Sequence, residues 1–334
     1  MVEGTPGSDH DKEGSTKMID VITKCAGIDV SKLTLDIAVY GCGERFSAGN
    51  DGVGHRQIAK RLAALGVSRV GMEAGGHYEA KLARHLRARG FEVLVLDPGQ
   101  VHGFKRFKNE RAKTDSIDAE LIAAVTAAFD GVRAAPDERL APMAEHLTLI
   151  EQIGEDVARL KTRRERFEAK RHKRWLESEI ARLEKHRKAE IAKLTAGLRK
   201  HADLAARFDL LFSVPAIGPM LALTFVIRMP ELGQMTRGQA AALVGVAPFN
   251  ADSGQYRGQR HIQGGRSRVR RIVWLAAFAG SQRWNPILVA LYKRLLAAGK
   301  HHKVAVTACA RKLVEIANAV LSRGTPWRDA TAQW

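Results

Sequence analysis

The feature that most constrains the fold is a change of apolar rhythm midway along the chain. From Ile22 to Ala128 hydrophobic residues come in short runs broken by glycine, proline, asparagine and aspartate, whereas from Ile150 to Leu198 they recur every three and four residues. Short runs suit strands and brief helices, while the longer pattern suits extended helices. A single core rarely grows to 334 residues, so two units are expected. Apolar residues at 45% and charged residues at 27% exclude a wholly disordered or fibrous chain. No apolar run approaches the roughly 20 residues of a membrane helix, and residues 1–20 lack the apolar segment of a secretory signal. That stretch reads as a disordered leader on a cytoplasmic protein. Cys25, Cys42 and Cys309 match no zinc or disulfide spacing and read as reduced and structural.

Within residues 21–132 the pattern predicts three meander strands, in Val21–Val30, Leu33–Gly41 and around Arg45–Ser47. A helix over Val53–Leu65, the strand Arg69–Glu73, a helix over Tyr78–Arg89, the strand Phe91–Leu96 and a helix from Thr114 to Ala128 follow, with Asp97-Pro98-Gly99 as a closing turn. This order is that of an α/β ribonuclease H-like fold. Residues 145–202 carry a seam of Ile153, Val157, Leu160, Phe167, Leu176, Ile180, Leu183, Ile191, Leu194 and Leu198, expected to form two long helices or a coiled-coil arm. Arg164 and Arg171 interrupt that seam inside the basic run Lys161–Arg174. A solvated helix face and a nucleic-acid contact both fit them. Residues 205–324 form a mainly α C-terminal domain, with 325–334 as a tail.

Charge divides the chain in the same way. Residues 1–150 carry 20 Lys+Arg against 21 Asp+Glu, and residues 151–334 carry 34 against 15, so the whole excess of +18 lies in the second half. A neutral, acid-dotted part beside a basic part separates chemistry from polyanion binding.

Asp29 ends one strand, Glu73 ends the next buried strand, and Asp115 and Asp118 sit three apart at the start of a helix, on one face. Each has a bland explanation as a strand end, a loop start or a helix-dipole partner. Taken together they form the oxygen-rich set that holds two divalent ions about 4 Å apart for phosphodiester chemistry. In the second half, Phe212-Ser213-Val214-Pro215-Ala216-Ile217-Gly218-Pro219 is similar to a helix-hairpin-helix turn offering backbone N–H groups to phosphate, with an ordinary Pro/Gly turn as the alternative. A Gly-rich stretch follows, with Arg257, Arg260, Arg266, Arg268, Arg270 and Arg271, residues suited to phosphate oxygens. Ser253, in Asp252-Ser253-Gly254, reads from its neighbours as a surface turn. Trp175, Trp274, Trp284 and Trp327 read as packing residues, and His77 and Lys113 as solvated or structural.

The segments Gly27-Ile28-Asp29-Val30-Ser31-Lys32, Met72-Glu73-Ala74 and Lys113-Thr114-Asp115-Ser116-Ile117-Asp118-Ala119 resemble the DEDD motifs of the insertion-sequence-110 transposase family. The likeness extends from Ile22 to about Arg323. It implies a Ruv-C-like nuclease domain, a coiled-coil middle and a C-terminal transposase domain. It also implies Asp29, Glu73, Asp115 and Asp118 as ligands of Mg²⁺, two ions per site, with Mn²⁺ as the alternative ion. Ser253 matches the family's serine, and the resemblance reverses its reading from turn to nucleophile. The family further implies a composite site formed between subunits, a homo-oligomer (a dimer, and a tetramer when active), donor and target DNA as partners, a structured guide RNA, and a bacterial cytoplasmic location away from membranes. Two rival functions are a Holliday-junction-type nuclease using water, with Ser253 as a turn residue, and a non-catalytic nucleic-acid-binding protein.

Overall fold

Alternating burial along the first strands sets the layout of the N-terminal part. A computed structural model describes residues 24–76, 78–108, 115–129, 137–249, 258 and 260–328, with backbone alone for Asp115, Ser116 and Ile117. The chain divides into two units, Met1–Pro136 and Asp137–Trp334. Among the described residues no helix is long and apolar enough to cross a membrane.

In the first unit β1 (Cys25–Val30), β2 (Thr34–Val39), β3 (Arg45–Gly49), β4 (Arg69–Glu73) and β5 (Glu92–Leu96) form one sheet in the order β3-β2-β1-β4-β5. β2 is antiparallel to β1 and β3, while β1, β4 and β5 run parallel. Successive strand side chains point to opposite faces. Ala26, Ile28, Leu35, Ile37, Val39, Val70 and Met72 therefore share one face, packed with Ile58 and Leu62 of α1 (Gly52–Ala64) and Leu82 and Leu86 of α2 (Ala80–Arg87). Burial of each large aliphatic side chain contributes about 1.5–3 kcal/mol. On the opposite face Leu94 and Leu96 pack with Val101 of α3 (Pro98–Phe107) and with Leu121, Ile122 and Val125 of α4 (Asp115–Ala127).

The helix α3 stands where the sequence predicts only a closing turn. Asp97 is its N-cap, accepting from Gly99 N at 2.7 Å, Gln100 completes a capping box, and Pro98 occupies the first turn. Proline at a helix start forfeits no internal hydrogen bond, so Asp-Pro-Gly opens a helix here as readily as it closes a strand.

The second unit is helical: α5 (Leu140–Glu165), α6 (Lys170–Leu198), α7 (Ala202–Phe212), α8 (Pro219–Arg228), α9 (Arg237–Val244), α10 (Ser267–Ala279), α11 (Pro286–Ala297) and α12 (His302–Arg323). A π-helical turn, Gly280–Trp284, joins α10 to α11, and the two-residue strands β6 (Pro248–Phe249) and β7 (His261–Ile262) pair antiparallel. α5 and α6 lie antiparallel, as the pairs His146–Glu190, Lys161–Glu184 and Arg164–Glu177 require. Ile153, Val157, Leu176, Ile180, Leu194 and Leu198 are buried, whereas Phe167 is exposed between the helices. The basic run Lys161–Arg174 spans that bend, and Arg164 takes Glu177 as its partner at 3.5 Å. The core of the unit centres on α8, whose residues Leu221–Ile227 are all buried, with Leu313, Val314 and Ala317 of α12 and Val269 and Val273 of α10.

Candidate carboxylate site

Two glycines place the carboxylates. Gly27 of β1 and Gly71 of β4 are register partners, and both face α4. A Cβ on Gly27 would lie 2.1 Å from Ala123 N and 2.2 Å from Ala119 O, and one on Gly71 would lie 1.8 Å from Thr126 Oγ1. The helix backbone therefore rests directly on the sheet, which only glycine permits. Asp29 and Glu73 are two residues beyond these glycines, on the same face and at the carboxyl ends of parallel strands, the usual place for ligands in such sheets. Asp118 immediately precedes Ala119, so the seating of α4 carries it to the same end.

The electrostatics agree with that convergence. Burial pushes the Glu73 carboxyl above its ordinary value, and the like charges of Asp29, Asp118 and Asp97 push it further. Lys105 of α3 places Nζ 3.1 Å from Asp118 Oδ1, with both side chains mostly covered, at 19% and 24% exposure. Asp36 is the register partner of Asp29 across β1 and β2, and accepts a hydrogen bond from Ser47 Oγ. Among the described residues no group of three His, Cys, Asp or Glu side chains stands close enough to hold an ion as arranged. The side chain of Asp115 lies outside the described residues.

Sequence reading missed Lys105, Asp36 and Asp97. Lys105 sits on α3, of which the sequence pattern marks only the opening Asp97-Pro98-Gly99, as a turn. Asp36 belongs to the face opposite Leu35, Ile37 and Val39, and the alternation of β2 marks it as polar without saying that its neighbour is Asp29.

In the second unit, Ser253 and Arg257 lie outside the described residues, as do His77 and Lys113 of the first. The base of the segment carrying Ser253 is described. Pro248 pairs with Ile262 and Phe249 with His261, so the chain leaves and returns at one place. Beside it Gly245, at φ +81°, and Gly265, at φ +70°, bring two backbone stretches together, and a Cβ on Gly265 would meet Gly245 N at 2.3 Å. Arg270 Nη1 donates to Gly264 O at 2.5 Å, while Arg266 donates to Arg228 O at 2.6 Å and to both oxygens of Glu231 at 3.0 and 2.7 Å. These two guanidiniums brace the loop base. Arg268 and Arg271 instead reach α5, pairing with Glu151 at 3.4 Å and Glu155 at 2.5 Å, and remain 55% and 57% exposed. Arg260 and Arg171 are exposed.

The turn between α7 and α8 is held from behind. Asn285, fully buried, caps α11 through Ile287 N and Leu288 N and donates from Nδ2 to Pro215 O at 2.9 Å. Ala216 adopts φ +81°, and Gly280 leaves room for its methyl. Gly218 precedes α8 without a side-chain cap, and Pro219 takes its first turn. Of the four tryptophans expected to pack, Trp175 and Trp284 are instead 61% and 63% exposed. Cys25 and Cys309 are buried and Cys42 is exposed.

Two family models match the chain. One, described as a transposase of the DEDD type, covers residues 26–167. The other, described as the transposase IS116/IS110/IS902 family, covers residues 208–293. No curated protein matches it. The first match spans the sheet and the carboxylates seated by α4, and the second spans α8 and the segment between β6 and β7, so the chain belongs to the IS116/IS110/IS902 family of DNA transposases.

Proposed function

We propose that this transposase cuts and rejoins insertion-element and target DNA with Asp29, Glu73, Asp115 and Asp118 as divalent-metal ligands and Ser253 as nucleophile. The observation that carries the metal half is the crowding of Asp29, Glu73 and Asp118 at one end of α4, with Glu73 held above its ordinary carboxyl range by burial and like charge. Such a site is short of positive charge, and hard oxygen donors suit Mg²⁺ first and Mn²⁺ second. The bound ions would supply charge neutralisation at the transferring phosphate. The strand order β3-β2-β1-β4-β5, with β2 antiparallel, supports reading residues 21–132 as a ribonuclease H-like, Ruv-C-like domain.

Ser253 would attack a phosphodiester through its hydroxyl oxygen. A serine O–P bond forms as a P–O bond to the DNA breaks, the serine proton passes to a base, and the departing DNA hydroxyl takes one up. The phosphodiester count is unchanged, so the adduct can be resolved by a second DNA hydroxyl without an external energy source. Its place in the sequence between β6 and β7, whose pairing is braced by Arg266 and Arg270, supports this role by fixing the two points from which that segment departs. The basic second half supports binding of donor and target DNA and of a structured guide RNA. We read residues 145–202 as an arm for homo-oligomer formation, residues 205–324 as the C-terminal transposase domain, 1–20 as a leader and 325–334 as a tail.

The test is a denaturing gel with labelled element-end DNA. Wild type should yield a protein–DNA adduct, and Ser253→Ala should lose both adduct and recombination while still binding nucleic acid. Recombination by Ser253→Ala refutes the nucleophile. Normal cleavage by Ser253→Ala with no wild-type adduct identifies water as the attacking group.

A further inference from the structure

We propose that Lys105 is a resident counter-ion of the carboxylate site that competes with the divalent ion for Asp118. The inference rests on the metal-ligand reading above. Its ammonium stands 3.1 Å from Asp118 Oδ1 in a spot where both side chains are largely covered. Covering an ammonium and a carboxylate together is costly in desolvation, and the pair persists because the neighbourhood is short of positive charge.

The backbone under Lys105 is held in place. α3 is fixed at its start by the Asp97 capping box and along its length by Val101 and Phe104, which pack against Leu121, Ile122 and Val125 of α4. Lys105 lies in its last turn, on a flexible four-carbon stem. An ion drawing on the Asp118 carboxylate must take Oδ1 from the ammonium or stand beside it, and the two positive charges repel at either distance. Lys105 thus balances the site when it holds no metal and raises the metal concentration needed to fill it.

The experiment is a titration of Mn²⁺ alone into the full-length protein, followed by electron paramagnetic resonance and by calorimetry, without DNA. Lys105→Met and Lys105→Gln should each bind Mn²⁺ about tenfold more tightly than wild type, the low end of what removing one adjacent charge does to a carboxylate site. Lys105→Arg, which keeps the charge, should stay near wild type, separating charge from packing. Equal or weaker binding by both neutral variants overturns the counter-ion role and leaves the metal ligands standing. Absence of Mn²⁺ binding in every form, with Asp118→Asn indistinguishable from wild type, overturns the metal reading and the counter-ion role with it.

Discussion

Replacing Gly27 by alanine adds one methyl group and should disable the carboxylate site without touching a carboxylate. The new Cβ would stand 2.1 Å from Ala123 N and 2.2 Å from Ala119 O, more than 1 Å inside the 3.4 Å at which ordinary contact begins. Both obstructing atoms are helix backbone, which cannot rotate aside as a side chain would. α4 must therefore lift from β1 by about 1 Å, carrying Asp118 away from Asp29 and Glu73. Overpacking of this kind costs about 1–3 kcal/mol, and a misplacement of about 1 Å in a catalytic constellation costs roughly a hundredfold in rate. The assays are thermal melting by circular dichroism and strand cleavage of element-end DNA. A melting point several degrees lower, with cleavage reduced by about two orders of magnitude, is expected. Gly103→Ala is the control, because a Cβ there meets nothing within 4 Å inside α3. It should leave cleavage intact and stabilise by about 0.5–1 kcal/mol through helix propensity. Wild-type melting and cleavage in Gly27→Ala would falsify the claim that the glycine seat positions the site.

The arginines after Gly265 should separate into two classes. Arg266→Ala removes contacts to Arg228 O and Glu231 and should lower the melting point, whereas Arg268→Ala with Arg271→Ala should melt near wild type yet bind DNA more weakly with a shallower salt dependence; an unchanged salt slope returns that pair to purely intramolecular roles. Glu190 is held at a pKa of about 2 by Lys193 and His146, so its contribution is complete above its ordinary value of 4.5 and is lost as pH falls through about 2. The melting-point gap between wild type and Glu190→Gln should accordingly narrow over that window, and a gap that stays constant through it would remove the ion cluster as its source.

The strands of the first unit are legible because their period is visible. Leu35, Ile37 and Val39 alternate with Asp36 and Ala38, and five strands emerge at or near the expected positions. What the pattern cannot carry is pairing. Nothing in Gly27 or Gly71 alone says that they become neighbours, and their meaning appears only when β1 and β4 are parallel and in register. The helix α3 was hidden for a different reason: Asp-Pro-Gly serves equally to end a strand and to begin a helix, and the choice is made by Val101 and Phe104 finding Leu121 and Ile122. In the second unit the seam of α5 and α6 was readable from its period, while the arginines of α10 were not, because a guanidinium suits a phosphate and a glutamate equally.

That ambiguity also explains where charge counting stops being informative. An excess of Lys and Arg suits the second half as a whole to a polyanion partner. It cannot assign the contact to particular residues, since Arg266 and Arg270 are spent on carbonyls and Glu231 that hold a loop base together. On the proposed function, removing such a brace should weaken DNA binding as well, so loss of binding alone does not distinguish a contact from a support. The salt slope does. A lost phosphate contact reduces the number of counterions released, whereas a loosened loop lowers affinity at every salt concentration and leaves that number unchanged.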